Sequence, residues 1–559
     1  MSATPEHFDA VVVGSGFGGA VTAYRLAEGG LRVCLLERGK AYPPGSFPRI
    51  PYDMARNFWD PSDGRHGMFD LWTFKGLEAL VSSGLGGGSL IYANVLLRKD
   101  PEWFVSEEGE DWPVTRADLD PHYDRVEPML APQRYPFDTP PYSETPKTLA
   151  MQEAAGKLGL DWDLPPLGVT FANGGRPPRP GEPIVDGENL HALPRFTCRL
   201  CGECDIGCNF GSKNSLDYNY LTQFARLGGD IRTRSEVRSF ARATGGFEIH
   251  YVTHTPEREG HETDTAALPV TTLTAKRLVL SAGALGTTYL LLRNADALPG
   301  LARAALGTRF CGNGDLLGFI TRGVRTEGGR RRGLDPSVGP VITSRIRYAD
   351  QRDGDGGRGR GFYIEEGGYP QFASWLVEMT EVSGRPRRAL KFAYRRVKNL
   401  LVDRPVSNVS GEVSELLGDC VKSSGALPLL GMGRDVPDGN MRLRDGFLEV
   451  DWTTKTSRAY FDAVKAAMQD LAGALGARFN DSPLWYFRRV VTVHPLGGCP
   501  MARTPEQGVV DAHGQVFGVP GLSIADGSVM PGPVGPNPSL TIAALADRFA
   551  DRIMEHDGK

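Results

Sequence analysis

The first unbroken gathering of apolar positions is Phe8–Val13, valine-rich and free of turn-forming residues. Such a run reads as a strand buried on both faces. It stops at Gly14-Ser15-Gly16-Phe17-Gly18-Gly19. Apolar residues then recur at helical spacing from Ala20 to Glu28 and end at Gly29-Gly30. Leu31–Leu36 is a second apolar run, closed by Glu37. Strand, glycine turn, helix and strand make one βαβ unit of about thirty residues. Over 40–80 the pattern is irregular, and the helical stretches of 102–142 are broken by proline. Residues 160–190, rich in proline and glycine, read as a surface excursion. Periodicity returns as a helix over Ser215–Leu227, strands at Asp230–Phe240 and Lys276–Ser281, and an apolar helix over Thr287–Leu292. Residues 310–490 alternate strand-like and polar segments. Arg488–Val493 and Leu522–Ala525 complete the strands. A final helix opens at Pro538, with Asn537 as its cap, and runs to Met554.

The glycines give this pattern a chemistry. Gly14, Gly16 and Gly19 carry the spacing of a dinucleotide fingerprint, with a strand before them, a helix after them and an acid, Glu37, ending the next strand. Glycine there permits a tight turn and lets backbone approach a pyrophosphate at the helix N-terminus. A second segment, Val81–Asn94, holds Gly84, Gly86, Gly87 and Gly88, too many for the interior of a helix or strand. Its apolar flanks speak against a linker and for a wall around a flat, extended ligand. The chain has 70 glycines among 559 residues, above the average share and without a collagen period.

Composition narrows the class. A chain of this length, 40% apolar and 23% charged, is globular and too long for a small binding module. Lys+Arg 63 against Asp+Glu 67 gives a net charge of −4, which advertises neither nucleic acid nor an anionic membrane. The longest apolar runs, such as Leu290–Leu292 and Leu427–Leu430, are too short to span a bilayer. No basic, apolar leader precedes the first strand, so the expected compartment is the cytoplasm. The stretch Arg385–Lys398 is crowded with Arg and Lys and reads as a solvated helix face or a docking surface.

Four of the eight cysteines, Cys198, Cys201, Cys204 and Cys208, have the spacing C-x2-C-x2-C-x3-C. Bacterial ferredoxins use that run to ligate a 4Fe–4S cluster, although the proline that follows it there is Asn209 here. Zinc also accepts four thiolates, but its sites usually come as two separated pairs. Disulfides among the four would close very small, strained rings, and a reducing cytosol disfavours them. Ligation of one 4Fe–4S cluster is the leading expectation; zinc, disulfides and free thiols stay open.

Five segments in order resemble the glucose–methanol–choline oxidoreductases, and within them the cholesterol oxidase-like branch. They are GSGFGG at the first turn, GLGGGSLIYAN at 84–94, SAGALGTTYLL at 281–291, HPLGGC at 494–499 and ADGSVMPGPVGPNPSLTIAALA at 525–546. The resemblance implies an α/β, Rossmann-like FAD-binding domain (1–100, 209–305 and 490–559). It would be interleaved with an α+β substrate-binding domain carrying an antiparallel sheet (101–208 and 306–489), the cysteines lying at the junction. The cofactor set it implies begins with Gly14, Gly16, Phe17, Gly18 and Gly19, with Glu37 at the adenosine ribose, Arg38 next to it in the chain, and Val237 by the adenine. Ser83, Gly86, Gly87, Gly88, Ser89, Tyr92 and Asn94 would wrap pyrophosphate and flavin, and Ala282 and Gly283 join the set. Asp526 and Gly527 would cap the ribityl–phosphate region. Asn537, Pro538 and Ser539 would aim a helix N-terminus at the flavin pyrimidine ring. Leu90, Ile91 and Tyr92 stand where covalent members carry the attaching histidine, so the FAD is expected to be non-covalent.

By the same resemblance His494 is the active-site base and Asn537 orients substrate or flavin. The physics agrees, because alcohol oxidation needs the hydroxyl proton removed as hydride leaves the carbon. His66, His122 and His250 lie in no motif and read as structural. One departure concerns the glutamate with which isomerising cholesterol oxidases act, shortly before a tryptophan. Matching Gln371-Phe372-Ala373-Ser374-Trp375 to that place puts Ala373 there, with Glu365 and Glu366 nearby. The function expected is FAD-dependent oxidation of a small-molecule alcohol, electrons passing to oxygen or, through an iron–sulfur cluster, to another acceptor. A flavin- and cysteine-based redox sensor without alcohol turnover is the alternative, and a net rearrangement a third. A sensor has no need of the His494/Asn537 pair.

Overall fold

The computed structural model describes residues 5–107, 110–185, 187–321, 334–354, 359–369 and 426–555. The segments Gln371–Trp375 and Arg385–Lys398 lie outside them. The apolar runs form a parallel sheet, in the order Asp230–Arg232, Val33–Leu36, Glu6–Val13, Val270–Leu280, with Leu522–Ile524 beyond. Val11 stands opposite Cys34 on one side and Leu278 on the other, and Leu278 is opposite Leu522. The runs are continuous because both faces are covered: Ala10, Val11, Val12, Leu35 and Leu278 are fully buried. The helices Phe17–Glu28 and Ser539–Glu555 pack together against this sheet, and Arg116–Leu130 packs on the second of them.

Two expected elements are shorter than their patterns. The strand foreseen over Asp230–Phe240 is two, Asp230–Arg232 and Ser235–Ala243, because Arg234 takes a left-handed conformation (φ 56) and turns the chain out of the parallel ladder. The second piece pairs antiparallel with Gly246–Thr253, which runs along the start of Val270–Leu280. The helix foreseen from Ser215 begins at Tyr220, where the Asn219 side chain accepts the Tyr220 N–H, and runs to Arg226.

A six-stranded antiparallel sheet forms the other domain, in the order Asp161–Asp163, Arg345–Tyr348, Phe362–Glu366, Ala426–Gly433, Leu316–Thr321, Arg478–Asp481. The helix Arg458–Ala474 lays Phe461, Val464, Met468 and Leu471 on it, a fully buried stripe at helical spacing. A third, small sheet touches the antiparallel one, its strand Val490–Thr492 packing beside Leu316–Thr321. Val490–Thr492 pairs in parallel with Leu77–Ser82, which pairs antiparallel with Phe69–Thr73. The stretch before Val81 is thus a set of short hairpins rather than irregular chain. The architecture is a Rossmann-like α/β domain interleaved with a domain built on an antiparallel sheet. Among the described residues no helix is long and apolar enough to cross a membrane.

Candidate active site

A cavity of about 720 Å³ runs from the first glycine turn to His494. Its glycines divide by role. A Cβ on Gly18 would lie 1.5 Å from the Ala525 carbonyl oxygen, so this glycine lets two backbones touch. A Cβ on Gly16 or Gly88 would meet nothing within 4 Å, and both residues line the cavity: there the bare backbone faces open space. That is the cradle a pyrophosphate and a flavin require, at the start of a helix whose first amides are unpaired. The residues present therefore fit FAD.

Most of the expected cofactor set lines this cavity: Gly14, Phe17, Glu37, Arg38, Gly87, Tyr92, Val237, Ala282, Gly283, Asp526, Gly527, Pro538 and Ser539, with Gly16, Gly18, Gly88 and Asn537. Glu37 also holds the turn itself, its carboxylate accepting the Ser15 N–H at 3.0 Å, the Ser15 hydroxyl at 2.7 Å and the Gly39 N–H at 2.8 Å. Arg38 is paired with Asp70 at 2.5 Å. Asp526 spends both oxygens on the chain, accepting from Gly283, Thr287 and Ser528. Gly19, Ser83, Gly86, Ser89 and Asn94 are not in the cavity wall. The Ser89 hydroxyl donates to the Gly86 carbonyl at 2.7 Å and accepts the Leu216 N–H, shaping the segment from behind.

At the far end, His494 follows Val490–Thr492 and lines the cavity. Its Nδ1 is 2.8 Å from Asp315 Oδ1. Asp315 is 1% exposed, and its other oxygen accepts the Val493 N–H at 2.8 Å and the Thr492 hydroxyl at 2.9 Å. A carboxylate so held accepts the Nδ1–H hydrogen bond and leaves Nε2 as the acceptor of the ring. Burial opposes the imidazolium, but the Asp315 charge and hydrogen bond outweigh it, so the His494 pKa is raised.

Asn537 departs from the expected helix cap. The helix begins at Ser539, and the first carbonyl to accept within it belongs to Pro538. The Asn537 amide instead donates to Glu365 Oε2 at 3.4 Å, and its Oδ1 has no partner. Glu365 is fully buried, and burial pushes its carboxyl up to about 8, which favours the neutral acid. Its Oε1 is likewise without a partner. Two orphaned polar atoms beside His494 mark where a polar group of ligand or substrate belongs. Asp315 and the placement of Glu365 were not legible from motifs. Glu366, next on the strand, turns away to accept from Thr343 and Ser344. His66, His122 and His250 contact Arg234, Asp547 and Thr272, as structural residues do.

The four clustered cysteines line a second cavity, of about 20 Å³. None of the seven described cysteines is in a disulfide. Among the described residues, the one group of three or more candidate ligands whose ligand atoms all lie within 4.8 Å of one another is His122, Asp547 and Asp551, already paired with Arg25 and Arg125. No three of the four cysteine sulfurs lie within 4.8 Å of one another, so the described residues show no assembled metal or cluster site at the cysteines. Backbone amides of Leu200, Glu203 and Val341 point at Cys198, Cys201 and Cys204, while burial pushes all three thiols up. Asp205, next to Cys204, opens on the large cavity, where burial raises its carboxyl to about 6.

Comparison with known proteins agrees with this geometry. Residues 437–546 match the GMC oxidoreductase C-terminal family, and residues 12–51 an NAD(P)-binding Rossmann-like domain. The chain is 30% identical to a cholesterol oxidase of Mycobacterium tuberculosis, over 97% of this chain and 90% of that one. It is 25% identical to 2-methyl-1,2-propanediol dehydrogenase of Mycolicibacterium austroafricanum, over 99% and 96%. The crystal structure of pyridoxine 4-oxidase from Mesorbium loti has a like fold, with TM-score 0.57, 18% identity and coverage of 98% and 99%. The chain therefore belongs to the glucose–methanol–choline oxidoreductases, as a cholesterol oxidase-like member, and is an FAD-dependent oxidoreductase of CH–OH groups.

Proposed function

We propose that the chain oxidises an apolar alcohol to its carbonyl, with His494 as general base and non-covalent FAD. The observation that carries this reading is His494 in the cavity wall, held from behind by Asp315, with the unpartnered Asn537 Oδ1 in the same wall. When bound, FAD supplies the hydride acceptor. His494 Nε2 accepts a hydrogen bond from the substrate hydroxyl and takes its proton, and Asp315 holds the ring in that tautomer. Asn537 orients the hydroxyl oxygen, its amide fixed by neutral Glu365. The N-terminus of Ser539–Glu555 opens on the cavity and stabilises nearby negative charge by about 0.3–1 kcal/mol. Leu317, Val341, Ile342, Pro428, Leu430 and Val493 line the substrate side, which favours an apolar alcohol, a sterol among them, over a sugar. A redox sensor has no use for the base pair.

We further read Cys198, Cys201, Cys204 and Cys208 as the ligands of one 4Fe–4S cluster. The spacing, the shared cavity, the amides aimed at the sulfurs and the absence of disulfides among the described residues support it. When bound, a cluster exports electrons singly, which favours an acceptor other than oxygen. The turn Cys204–Ile206 packs against Gly87–Leu90 of the flavin cradle.

The test is a visible spectrum with iron and acid-labile sulfide analysis of protein purified without oxygen, before and after an apolar secondary alcohol. Bleaching of the flavin absorbance by the alcohol is expected. An unbleached spectrum across a panel of apolar alcohols refutes alcohol oxidation. Flavin left in the pellet after acid precipitation refutes non-covalent binding.

A further inference from the structure

The segment before the last helix carries four prolines, Pro531, Pro533, Pro536 and Pro538. Proline has no N–H to give, and residues 533–537 join neither helix nor sheet, so their carbonyls need donors from elsewhere. Two fully buried side chains supply them. The Lys99 ammonium donates to Pro533 O at 2.9 Å and to Val534 O at 3.1 Å. The Asn313 amide donates to Gly535 O and Pro536 O, both at 3.2 Å, and its Oδ1 accepts the Gly535 N–H at 2.9 Å. Four consecutive carbonyls are thus held by two residues.

Asn537 comes next in the chain. Its side chain lines the flavin cavity, with Oδ1 unpartnered and the amide reaching Glu365 at a long 3.4 Å. Contacts that loose do not fix a side chain, so its place is set by the backbone that delivers it. Asn313 is itself held firmly. It takes a left-handed conformation, φ 53, which an asparagine tolerates, in the turn Gly312–Asp315. The Gly433 N–H donates to the Asn313 carbonyl at 2.9 Å, and the Tyr460 hydroxyl to the Gly314 carbonyl at 3.0 Å. The Gly312 N–H donates to Asp435 at 3.1 Å. Two residues beyond Asn313 stands Asp315, which holds His494. One turn therefore reaches both residues of the reacting end, His494 through its ring and Asn537 through its loop.

We propose that Asn313 is a positioning residue for the oxidation: by clasping Gly535 and Pro536 it fixes where the Asn537 amide meets the substrate hydroxyl, and ties that amide to the turn that holds His494. Lys99 secures the same loop one step further back. This rests on the reading above, in which Asn537 orients the hydroxyl and His494 takes its proton.

The experiment is a double-mutant cycle on the holoenzyme, following flavin reduction by apolar secondary alcohols from cyclohexanol to 3-hydroxysteroids. Asn313→Gly deletes the clasp and suits the left-handed backbone. It should slow reduction about ten- to a hundredfold, the scale for a misplaced orienting group. In an Asn537→Ala background the same change should cost at most about twofold, because the residue it places is gone. The acid limb of kcat/KM should stay at its wild-type pH, since Asp315 still holds His494. A crystal structure of Asn313→Gly should show Asn537 displaced and the His494–Asp315 contact kept. Asn313→Ser, uncharged and too short to reach both carbonyls, repeats the test should Asn313→Gly not fold. Equal slowing in both backgrounds, or an Asn537 that has not moved, overturns the inference. Wild-type flavin that no alcohol bleaches, or an Asn537→Ala protein as fast as wild type, overturns instead the reading on which it rests, so the two failures are told apart.

Discussion

The catalytic end and the cysteine end both bury a group that can carry positive charge, and they treat it in opposite ways. His494 meets an anion supplied by the chain: Asp315, 1% exposed, with every contact of its carboxylate made by neighbouring residues. Lys213, as deeply buried, donates to two carbonyl oxygens and lies over the Tyr92 ring, with the Asp205 and Asp217 carboxyls acting on it from further off. The first site is electrostatically complete before any ligand arrives. On the proposed cluster reading, the second would gain a further anion when its thiols ionise on binding metal. A base must be ready in advance for each substrate, whereas a metal site is assembled once.

The strongest way to break this comparison is at the base. His494→Ala should lower alcohol turnover by about 10²–10⁴-fold, the scale of a lost general base, with the flavin spectrum retained. Near wild-type turnover would remove His494 from the chemistry. At the other end, Cys204→Ser should lower iron retention by about 10–100-fold, the scale for disturbing a metal's surroundings, and alcohol should still bleach the flavin. Iron content equal to wild type would show that this sulfur ligates nothing.

Smaller effects sharpen it. His494 must be neutral to take a proton, so its raised pKa suppresses kcat/KM at low pH and releases it as pH rises. Asp315→Asn removes the charge but leaves an oxygen for the Nδ1 proton. The acid limb should move to lower pH, at a cost of about tenfold in turnover, or about 1.4 kcal/mol. An unmoved limb would mean that Asp315 does not govern the titration. Smallest is Glu365→Gln. Glu365 binds its proton more tightly folded than unfolded, so stability is lost as pH rises from its ordinary range through about 8. The variant should flatten the fall of Tm with pH over that window, by a measurement of Tm against pH; an identical slope would place Glu365 outside the titration.

The sequence revealed what the backbone demands. Phe8–Val13 and Lys276–Ser281 were legible because strands covered on both faces leave unbroken apolar runs, and Gly16 because only a bare backbone can line that wall. The split at Arg234 was hidden, since one left-handed residue leaves no mark in an apolar pattern. The hairpins before Val81 are too short to show a period. Asp315 carried no signal, as its role depends on a strand 179 residues away. Glu365 and Glu366 did carry one: two acids closing the apolar strand Phe362–Glu366 are out of place unless buried for a purpose. Alternation along that strand sends one to Asn537 and the other to Thr343. The match to Ala373, which lies outside the described residues, placed both only as nearby.

The small sheet has a consequence for modularity. His494 leaves Val490–Thr492, and that strand pairs with Leu77–Ser82, which runs directly into the glycine segment of the cradle. The base and the cofactor wall are thus registered by one ladder of backbone hydrogen bonds, although more than four hundred residues of chain separate them. An exchange between relatives that takes 77–82 and 490–492 from different parents puts this ladder at risk. A chimera that takes 69–82 and 490–494 from a single parent keeps base and cofactor in register, whatever sequence fills the pocket around them.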